Sequence, residues 1–391
     1  MQLRQEVKLR LRGALPWSAV IEQLEHEVNQ VEGREAKADA LYALGEVCED
    51  LLLRKDRAMV HYQASFKAYP QETKALVRAR EIYREMGNLK MVGDLLALEL
   101  RATQDPTRRA ELQGRLGTVQ LDLGQLEKAS ANIEAAMRAR VGDPQLIEAY
   151  AAAAHDRSAW LEDLGGLTDQ ALGSEPARAA ELFLRIARIL RLEAPGDPRF
   201  EEALRAVLGY NIQHEQANFL LEGWLGEANR FDDIMQLHEE RGEAAGEEHL
   251  RAELNLRFAS TWALRFGDLE RAGYFYHKAL VSIYSNGLTG FPSHIAAFNF
   301  LRELLGARGA WDEVLQLADV AMAGHFPSDD VVILGTQAGL IAWQQLGDLE
   351  RARHYFERVN DIYPESPVVN AFAEAYTGGA PQAAVPVAQP A

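Results

Sequence analysis

Apolar side chains recur along this chain at intervals of three and four positions, on both sides of short polar turns. Such spacing places apolar residues on one face of an α-helix. Before one turn the pattern runs through Phe298, Leu301 and Leu305. After three other turns it runs through Ala129, Ile133 and Ala136, through Ala272, Tyr276 and Ala279, and through Ala352, Phe356 and Val359. We therefore predict pairs of antiparallel helices.

The turns themselves recur with a regular period. A typical copy has an aromatic residue or Leu, followed three positions later by Ala, Val or Ile, and ten copies can be counted if two poor ones are included. The copies begin at Trp17, Lys55, Leu89, Leu126, Trp160, Phe200, Phe231, Leu269, Trp311 and Leu349. Successive copies lie 31 to 42 residues apart, about 37 on average. This is the period of a solenoid built from helical hairpins.

The clearest turns have a mechanical explanation. Residues 267–272 and 347–352 both read GDLERA, and residues 124–129 read GQLEKA. Gly can adopt the left-handed conformation that ends a helix, Asp can cap the next helix, and Glu is favourable in the first turn of that helix. Proline cannot continue a helical hydrogen-bond ladder, so it marks the end of a second helix. Prolines fall at such places at Pro70, Pro106, Pro144, Pro327 and Pro364.

At these positions the sequence resembles the tetratricopeptide repeat family, whose motif has Leu-Gly in the first helix, then Ala, an aromatic residue, Ala and a closing Pro in the second. The matching residues are Leu44-Gly45 with Ala58, Tyr62 and Pro70; Leu116-Gly117 with Ala129, Ile133 and Ala136; and Ala352, Phe356 and Pro364. The departures are Ser65, the reversed pair Gly339-Leu340, and degenerate units around Trp160 and Phe231. The resemblance covers residues 14–376, and the repeat register between 145 and 250 stays open.

The resemblance implies an all-α fold, a right-handed solenoid of about nine antiparallel helical hairpins plus terminal helices. We divide the chain into a basic N-terminal segment at 1–13, the solenoid at 14–376, and a disordered Ala/Pro-rich tail at 377–391. The connections at 193–198 and 285–292 are longer than the others. We interpret them as plain connectors, with a kink near 285–293 or a contact to a ligand as the alternatives.

Composition excludes several classes of function. The formal net charge is −17, which opposes binding to a phosphate backbone, so we do not expect nucleic acid as a partner. The single cysteine, Cys48, rules out a disulfide framework, and we expect it to fill the core. No apolar run is long enough to span a bilayer, and residues 1–16 lack the apolar stretch of a secretory signal. We expect a cytoplasmic protein without membrane insertion; the oligomeric state stays open.

The sequence carries no recognisable catalytic or cofactor motif. It has no phosphate-binding glycine motif, no metalloprotease His-Glu pattern and no nucleophile elbow. The nearest candidate for a metal site is the set His238, Glu239, Glu240, Glu248 and His249. We favour a solvated charged linker for these residues, so we predict no catalytic residues, no metal and no cofactor.

The family resemblance also implies where a partner would bind, because first helices line the concave groove of such solenoids. Carried over onto this sequence, the groove residues are Tyr42, Glu46 and Glu49 early in the chain, and Arg257, Arg265, Asn299, Gln337 and Gln344 late in the chain. Glu46, Glu49 and Asp50 are spaced to share one helical face. The carboxylates of Glu46 and Glu81 would repel an acidic chaperone tail, which argues against a chaperone co-factor.

These observations predict a non-catalytic protein–protein interaction scaffold or adaptor that binds a peptide or protein in its groove. By family analogy, a bacterial assembly, motility or signalling complex is one setting for such a protein. Two alternatives from other classes are a peptide-sensing regulator and, less favoured, a helical-toroid enzyme. The sequence does not identify the partner.

Overall fold

A computed structural model describes residues 2–12 and 17–377, and this part of the chain consists of helices and short connections, with no strand. The predicted tail lies outside the described residues, apart from Thr377. No helix in the described ranges combines the length and the apolar character needed to cross a lipid bilayer. The all-α prediction is confirmed.

The described residues form nine helical hairpins, preceded by two helices and followed by one. The helices are α1 Gln2–Leu11, α2 Trp17–Asn29, α3 Arg34–Glu46, α4 Lys55–Ala68, α5 Lys74–Glu85, α6 Leu89–Ala102, α7 Pro106–Asp122, α8 Leu126–Ala139, α9 Pro144–Ala153, α10 Trp160–Leu172, α11 Pro176–Glu193, α12 Arg199–Tyr210, α13 Glu215–Glu227, α14 Phe231–Glu243, α15 Glu248–Thr261, α16 Leu269–Ser285, α17 His294–Gly306, α18 Trp311–Ala323, α19 Ser328–Leu340, α20 Leu349–Ile362 and α21 Pro367–Thr377. The hairpins run from α3/α4 to α19/α20, as the repeat ladder predicts.

Within a hairpin, a glycine of the first helix lets a large side chain of the second helix approach the backbone. A Cβ atom on Gly45 would lie 2.5 Å from Tyr62, and one on Gly339 would lie 2.5 Å from Phe356. In α7/α8 the same relation joins Gly117 and the side chain of Ile133, again at 2.5 Å. The reversed Gly339-Leu340 pair therefore still supplies the required glycine.

The predicted turn geometry is confirmed at the clearest copies. Gly267 and Gly347 have φ angles of 67° and 66°, in the left-handed region that glycine adopts without strain. Asp268 and Asp348 then cap α16 and α20, each accepting a hydrogen bond from a backbone N–H at 2.9 Å. Asn229 takes the left-handed position before α14, with φ 55°.

Three first helices end in π-helical turns that the sequence does not predict. The turns are Val47–Leu51 after α3, Trp262–Phe266 after α15 and Ile341–Leu346 after α19. A π-helical turn holds more residues than an α-helical turn. As a result, Glu49 and Asp50 do not keep the α-helical spacing from Glu46 that would place all three on one face.

The described helices fall into two compact units. Among the described residues, the first unit contains 2–12, 17–68, 246–263 and 267–377, and the second contains Tyr69–Ala245 and Leu264–Phe266. In the first unit, helices from the beginning of the chain pack against helices from its last third. Lys55 Nζ donates to Ser260 Oγ at 2.8 Å, and α1 contacts α19.

The close approach at Gly117 predicts opposite effects for two chemically identical substitutions. Gly117→Ala would place a Cβ 2.5 Å from Ile133 and 3.1 Å from the Ala129 carbonyl oxygen, so we expect a loss of about 1–3 kcal/mol in the free energy of unfolding. Gly165→Ala in α10 meets no atom within 4 Å and should gain up to about 1 kcal/mol from helix propensity. Urea denaturation followed by circular dichroism measures both, and equal stability of the two variants would contradict the packing argument.

Cys48 is predicted to be chemically inert in the folded protein. It is a fully buried, unpaired thiol, and burial, together with the negative charge of Glu25, raises its pKa to about 12. Because the thiolate is the reactive form, iodoacetamide at pH 8 should label it at least ~100-fold more slowly in the native protein than in urea. Mass spectrometry measures the rates, and comparable labelling in both conditions would rule out this environment.

Candidate functional site

The early groove residues from the sequence lie in the first unit, and only part of their polar surface is accessible. Glu49 is buried and accepts a hydrogen bond from the Tyr62 hydroxyl at 2.7 Å. Tyr42 is half-buried, with its ring centroid 5.6 Å from that of Tyr62. Glu46 is also half-buried. Glu49 therefore has a partner inside its own hairpin, while Glu46 keeps a partly accessible carboxylate.

The late groove residues differ in their accessibility. Arg257 and Gln344 are exposed. Asn299 is half-buried and donates to Glu303 at 3.1 Å. Gln337 is half-buried, and its Oε1 atom is buried without a hydrogen-bond partner. These residues do not form one continuous set of exposed side chains.

Arg265 belongs to the second unit and is held by neighbouring side chains. Its Nη1 atom donates to Glu222 at 2.9 Å, and its Nη2 atom donates to the Phe219 carbonyl oxygen at 3.3 Å. The guanidinium also lies over the Phe219 ring, 4.7 Å from the centroid, a favourable cation–π position. Burial lowers the pKa of Arg265, while Glu222 and Glu227 oppose that shift.

A hollow in the second unit was not predicted from the sequence. It has a volume of about 690 Å³ and is lined by side chains of the first helices α5, α7, α9, α11 and α13, with a contribution from α6. We call it the unit 2 hollow. Its apolar wall includes Val92, Val119 and Leu184, and its charged lining consists of five arginines and the acidic residues Glu81, Asp143, Glu181 and Glu215. The only groove position considered from the sequence that lines it is Glu81.

Two of the five arginines are buried and neutralised. Arg80 is 4% exposed and donates to the buried carboxylate of Glu99. Arg188 is 5% exposed and donates to Asp122 at 3.2 Å. Asp122 also accepts a hydrogen bond from Gln216 at 2.5 Å. These contacts join α7, α11 and α13 at the wall of the hollow.

The other three arginines have more accessible guanidinium groups. Arg84 lies 3.4 Å from Glu215, and Arg140 lies 2.5 Å from Asp143. Arg115 is exposed and has no ion-pair or hydrogen-bond partner within residues 2–12 and 17–377. The hollow therefore presents the unpaired guanidinium of Arg115 beside these two ion pairs, and the carboxylates of Glu81 and Glu181 also line it.

A smaller cavity of about 290 Å³ adjoins Arg265. Its aromatic wall is formed by Phe200, Phe219 and Trp224. Residues 194–196 of the longer connection after α11 also line it. A ligand contact was one interpretation of this connection, and its position at a cavity is compatible with that interpretation without selecting it over a plain connector.

Glu222 is the centre of a buried charge cluster. It accepts from His238 at 3.0 Å and from Arg241 at 3.4 Å, in addition to Arg265. Burial alone would raise the pKa of Glu222, but the hydrogen bond from His238 and the charges of His238, Arg265 and Arg241 outweigh burial and lower the pKa to about 2. Burial lowers the pKa of His238. These hydrogen bonds join α13 to α14 and to the segment Leu264–Phe266, which contains Arg265.

The described residues contain no group of three or more His, Cys, Asp or Glu side chains arranged to hold a metal ion. Of the candidate metal residues, His238 bonds to Glu222, and Glu248 accepts from Ser282 Oγ at 2.8 Å. The ring of His249 lies 4.5 Å from that of Phe291, centroid to centroid. The expected solvated linker is wrong for His238, which is fully buried within α14.

The helices of residues 2–12 and 17–377 define an all-α helical-repeat fold. No protein-family model matches the chain, and no curated protein matches it in sequence. Among solved structures, a Naa15/Naa10 complex bound to HypK-THB is 13% identical, with TM-score 0.28, over 92% of this chain and 63% of that chain. PilF of Pseudomonas aeruginosa is 15% identical, with TM-score 0.26, over 69% of this chain and 99% of that chain.

A human IFIT1 dimer with PPP-AAAA is 13% identical, with TM-score 0.28, over 88% of this chain and 68% of that chain. This chain thus spans less than two thirds of the length of the Naa15/Naa10 chain. Likenesses of this size carry no conclusion about function. The architecture rests on the hairpins of the chain itself.

The Glu222 cluster predicts how stability depends on pH. The pKa of Glu222 is lowered from its ordinary 4.5 to about 2, so its stabilising contribution is complete above pH 4.5 and is lost as the pH falls toward 2. We expect the melting temperature of the wild type to fall more steeply between about pH 4.5 and pH 2 than that of Glu222→Gln.

The matched control is Glu134→Gln, which removes a carboxylate from an exposed pair with Arg138. Its pH profile should follow that of the wild type, since exposed pairs contribute little. Parallel profiles for Glu222→Gln and the wild type would show that the cluster does not hold the carboxylate as described.

Proposed function

We propose that this chain is a non-catalytic scaffold of the tetratricopeptide type, which binds a segment of another protein in the unit 2 hollow. The observation that carries the proposal is the hollow itself, about 690 Å³ between five first helices. This volume falls in the range of roughly 300–1,000 Å³ that is typical of small-molecule pockets, so it can take side chains of a partner segment. First helices are also the elements that form binding surfaces in solenoids of helical hairpins.

The composition of the hollow suits a polypeptide segment with both apolar and charged side chains. Val92, Val119 and Leu184 offer an apolar wall, on which a helix or extended segment could bury its own apolar residues. Arg115 offers a positive charge for a partner carboxylate, and Arg84 and Glu215 can exchange their mutual ion pair for contacts with a partner. The buried pairs of Arg80 and Arg188 keep the site preformed, which reduces the ordering cost of binding.

The same ion pairs argue against nucleic acid as the partner. Arg80 and Arg188 are committed to Glu99 and Asp122, so their charge is not available to replace the counterions of a phosphate backbone. The net charge of −17 acts in the same direction over longer distances. We therefore propose a protein or peptide partner.

Accessible residues of the first unit are proposed as a separate contact surface. Arg257 and Gln344 keep accessible side chains for this purpose, and Glu46 is partly accessible. A bacterial assembly, motility or signalling complex is the cellular setting proposed by family analogy.

Site-specific photo-crosslinking tests the location of the binding site. A photoreactive amino acid in place of Arg115 should give adducts with one or a few polypeptides in living cells, because the side chain lines the hollow. The same amino acid in place of Glu134, an exposed residue of the second helix α8, should give none of these adducts. Identical adducts at both positions, or adducts at neither, would exclude the hollow as the site.

Once a partner is recovered, a charge reversal tests its chemistry. Arg115→Glu should weaken its affinity about tenfold, a loss of about 1.4 kcal/mol, because a carboxylate of the partner would meet a like charge. Glu134→Arg is the control for the change in net charge and should leave the affinity unaltered. Isothermal titration calorimetry measures both, and tighter binding by Arg115→Glu would overturn the proposed charge preference.

A further inference from the structure

The smaller cavity of the second unit combines an aromatic wall with charged side chains. The wall comes from α12 and α13, and the charged residues that line the cavity are Arg191, Glu227 and Arg265. Two guanidinium groups and one carboxylate therefore border a concave aromatic surface of about 290 Å³. We call this site the aromatic cavity.

The aromatic wall offers ring surface to a ligand. Trp224 Nε1 donates to Glu201 at 3.2 Å, so the polar group of the indole already has a partner and the rest of the ring is apolar. Phe200 is buried and supports Trp224, with the two ring centroids 5.1 Å apart. Phe219 and Trp224 remain half-buried. A planar ring can therefore bury apolar surface against these two side chains, in the geometries that aromatic pairs favour.

Arg265 is held in place beside this wall. Its hydrogen bonds to Glu222 and to the Phe219 carbonyl oxygen use two of the five N–H donors of a guanidinium. Gly87 and Gly223 leave room for the group, because a Cβ atom on them would lie 2.8 Å from Nε and 3.0 Å from Nη2. Donors that folding has already positioned require little ordering when a ligand binds.

Arg191 supplies a second, more accessible guanidinium group. It is exposed and has no hydrogen-bond or ion-pair partner in the part of the chain that the structure describes, 2–12 and 17–377. Glu227 is exposed and is close enough for its charge to act on Arg265. Positive charge exceeds negative charge at the cavity, which favours an anionic group on the ligand and disfavours an ammonium group.

The connection after α11 forms one edge of the aromatic cavity, through residues 194–196. Local hydrogen bonds hold this connection: the Asp197 backbone N–H donates to the Ala194 carbonyl oxygen at 3.0 Å, and Arg199 donates to the Asp197 carboxylate at 2.6 Å. The edge is therefore preformed. This supports the ligand contact that was one of the interpretations of residues 193–198.

We infer that the aromatic cavity is a binding site for a small aromatic carboxylate, with its ring on Phe219 and Trp224 and its carboxylate at Arg191 and Arg265. The volume lies near the lower limit of about 300 Å³ for small-molecule pockets, which suits a ligand with one or two rings. The inference goes beyond the proposed scaffold function and does not depend on the unit 2 hollow as a binding site.

Four compounds of similar size test the ligand class on the full-length chain: phenylacetate, phenylacetamide, phenethylamine and cyclohexylacetate. Phenylacetate should bind with a dissociation constant of about 1 mM or lower, a realistic affinity for so small a ligand. Each of the other three lacks the carboxylate or the aromatic ring and should bind at least ~10-fold more weakly. Saturation-transfer NMR titrations measure the affinities. No binding of phenylacetate, or equal binding of phenylacetate and phenylacetamide, would overturn the inference.

Two exposed charges locate the carboxylate of the bound ligand. Arg191→Ala should weaken phenylacetate binding about fivefold, the loss of one accessible charged contact, and should leave phenylacetamide binding unaltered. Glu227→Gln should tighten phenylacetate binding about twofold by removing a like charge, a gain that damage to the fold would not produce. Arg138→Ala is the control, because Arg138 is an exposed arginine of α8 that does not line the cavity, and it should bind like the wild type.

Trp224→Leu tests the ring contact. The variant should bind phenylacetate and cyclohexylacetate with equal affinity, because the aromatic partner of the ligand ring is lost. Circular dichroism verifies that each variant keeps its helical fold, and the Arg191 and Glu227 variants decide the result if Trp224→Leu does not fold. Phenylacetate affinity that Arg191→Ala leaves unchanged, or that Glu227→Gln weakens, would show that the carboxylate lies elsewhere and would refute the site.

Discussion

The structure depends on one short-range constraint, the close approach of two helix backbones within a hairpin. At Gly45, Gly117 and Gly339 the missing Cβ is what allows Tyr62, Ile133 or Phe356 to reach the first helix. Ridge-and-groove packing of helices is sensitive to a single added methyl group when the gap is already filled. The hairpins α3/α4, α7/α8 and α19/α20 are therefore each set by a glycine of the first helix and a large side chain of the second.

Ion pairs determine which polar side chains of the hairpins remain available to a partner. In the second unit, the carboxylates of Glu99, Asp122 and Glu222 are buried and matched with arginines. Burial makes an unmatched carboxylate costly, so these pairs constrain which helices can be neighbours. The arginines of these pairs are therefore not available to bind a partner. Arg115 differs from them because it has no such pair among the described residues.

The first unit also contains ion pairs between aspartates and basic side chains, but the basic side chains come from the N-terminal helix. Its carboxylates Asp50, Asp329 and Asp330 receive side chains from α1 rather than from a neighbouring hairpin. Short helices gain most of their stability from tertiary contact. The α1 helix has ten residues, so its helical form depends on these contacts.

The sequence by itself determined the local structure. The turn at 267–272, with Gly267 in the left-handed region and Asp268 as a cap, follows from the conformational freedom of glycine and the reach of a short carboxylate. The number of hairpins follows from apolar periodicity, which depends only on neighbours along one helix.

Only the tertiary structure decided which groups meet across long sequence separations. Nothing in the spacing of Asp50 and Asp330 indicates that both would contact α1, because those contacts depend on how helices from the beginning and end of the chain pack together. The same dependence on packing explains why two groove residues proposed from the sequence have partners within the fold. Glu49 and Arg265 look like free charges in the sequence, but neighbours brought in by folding, Tyr62 and Glu222, satisfy them. The unit 2 hollow likewise exists only where five first helices converge.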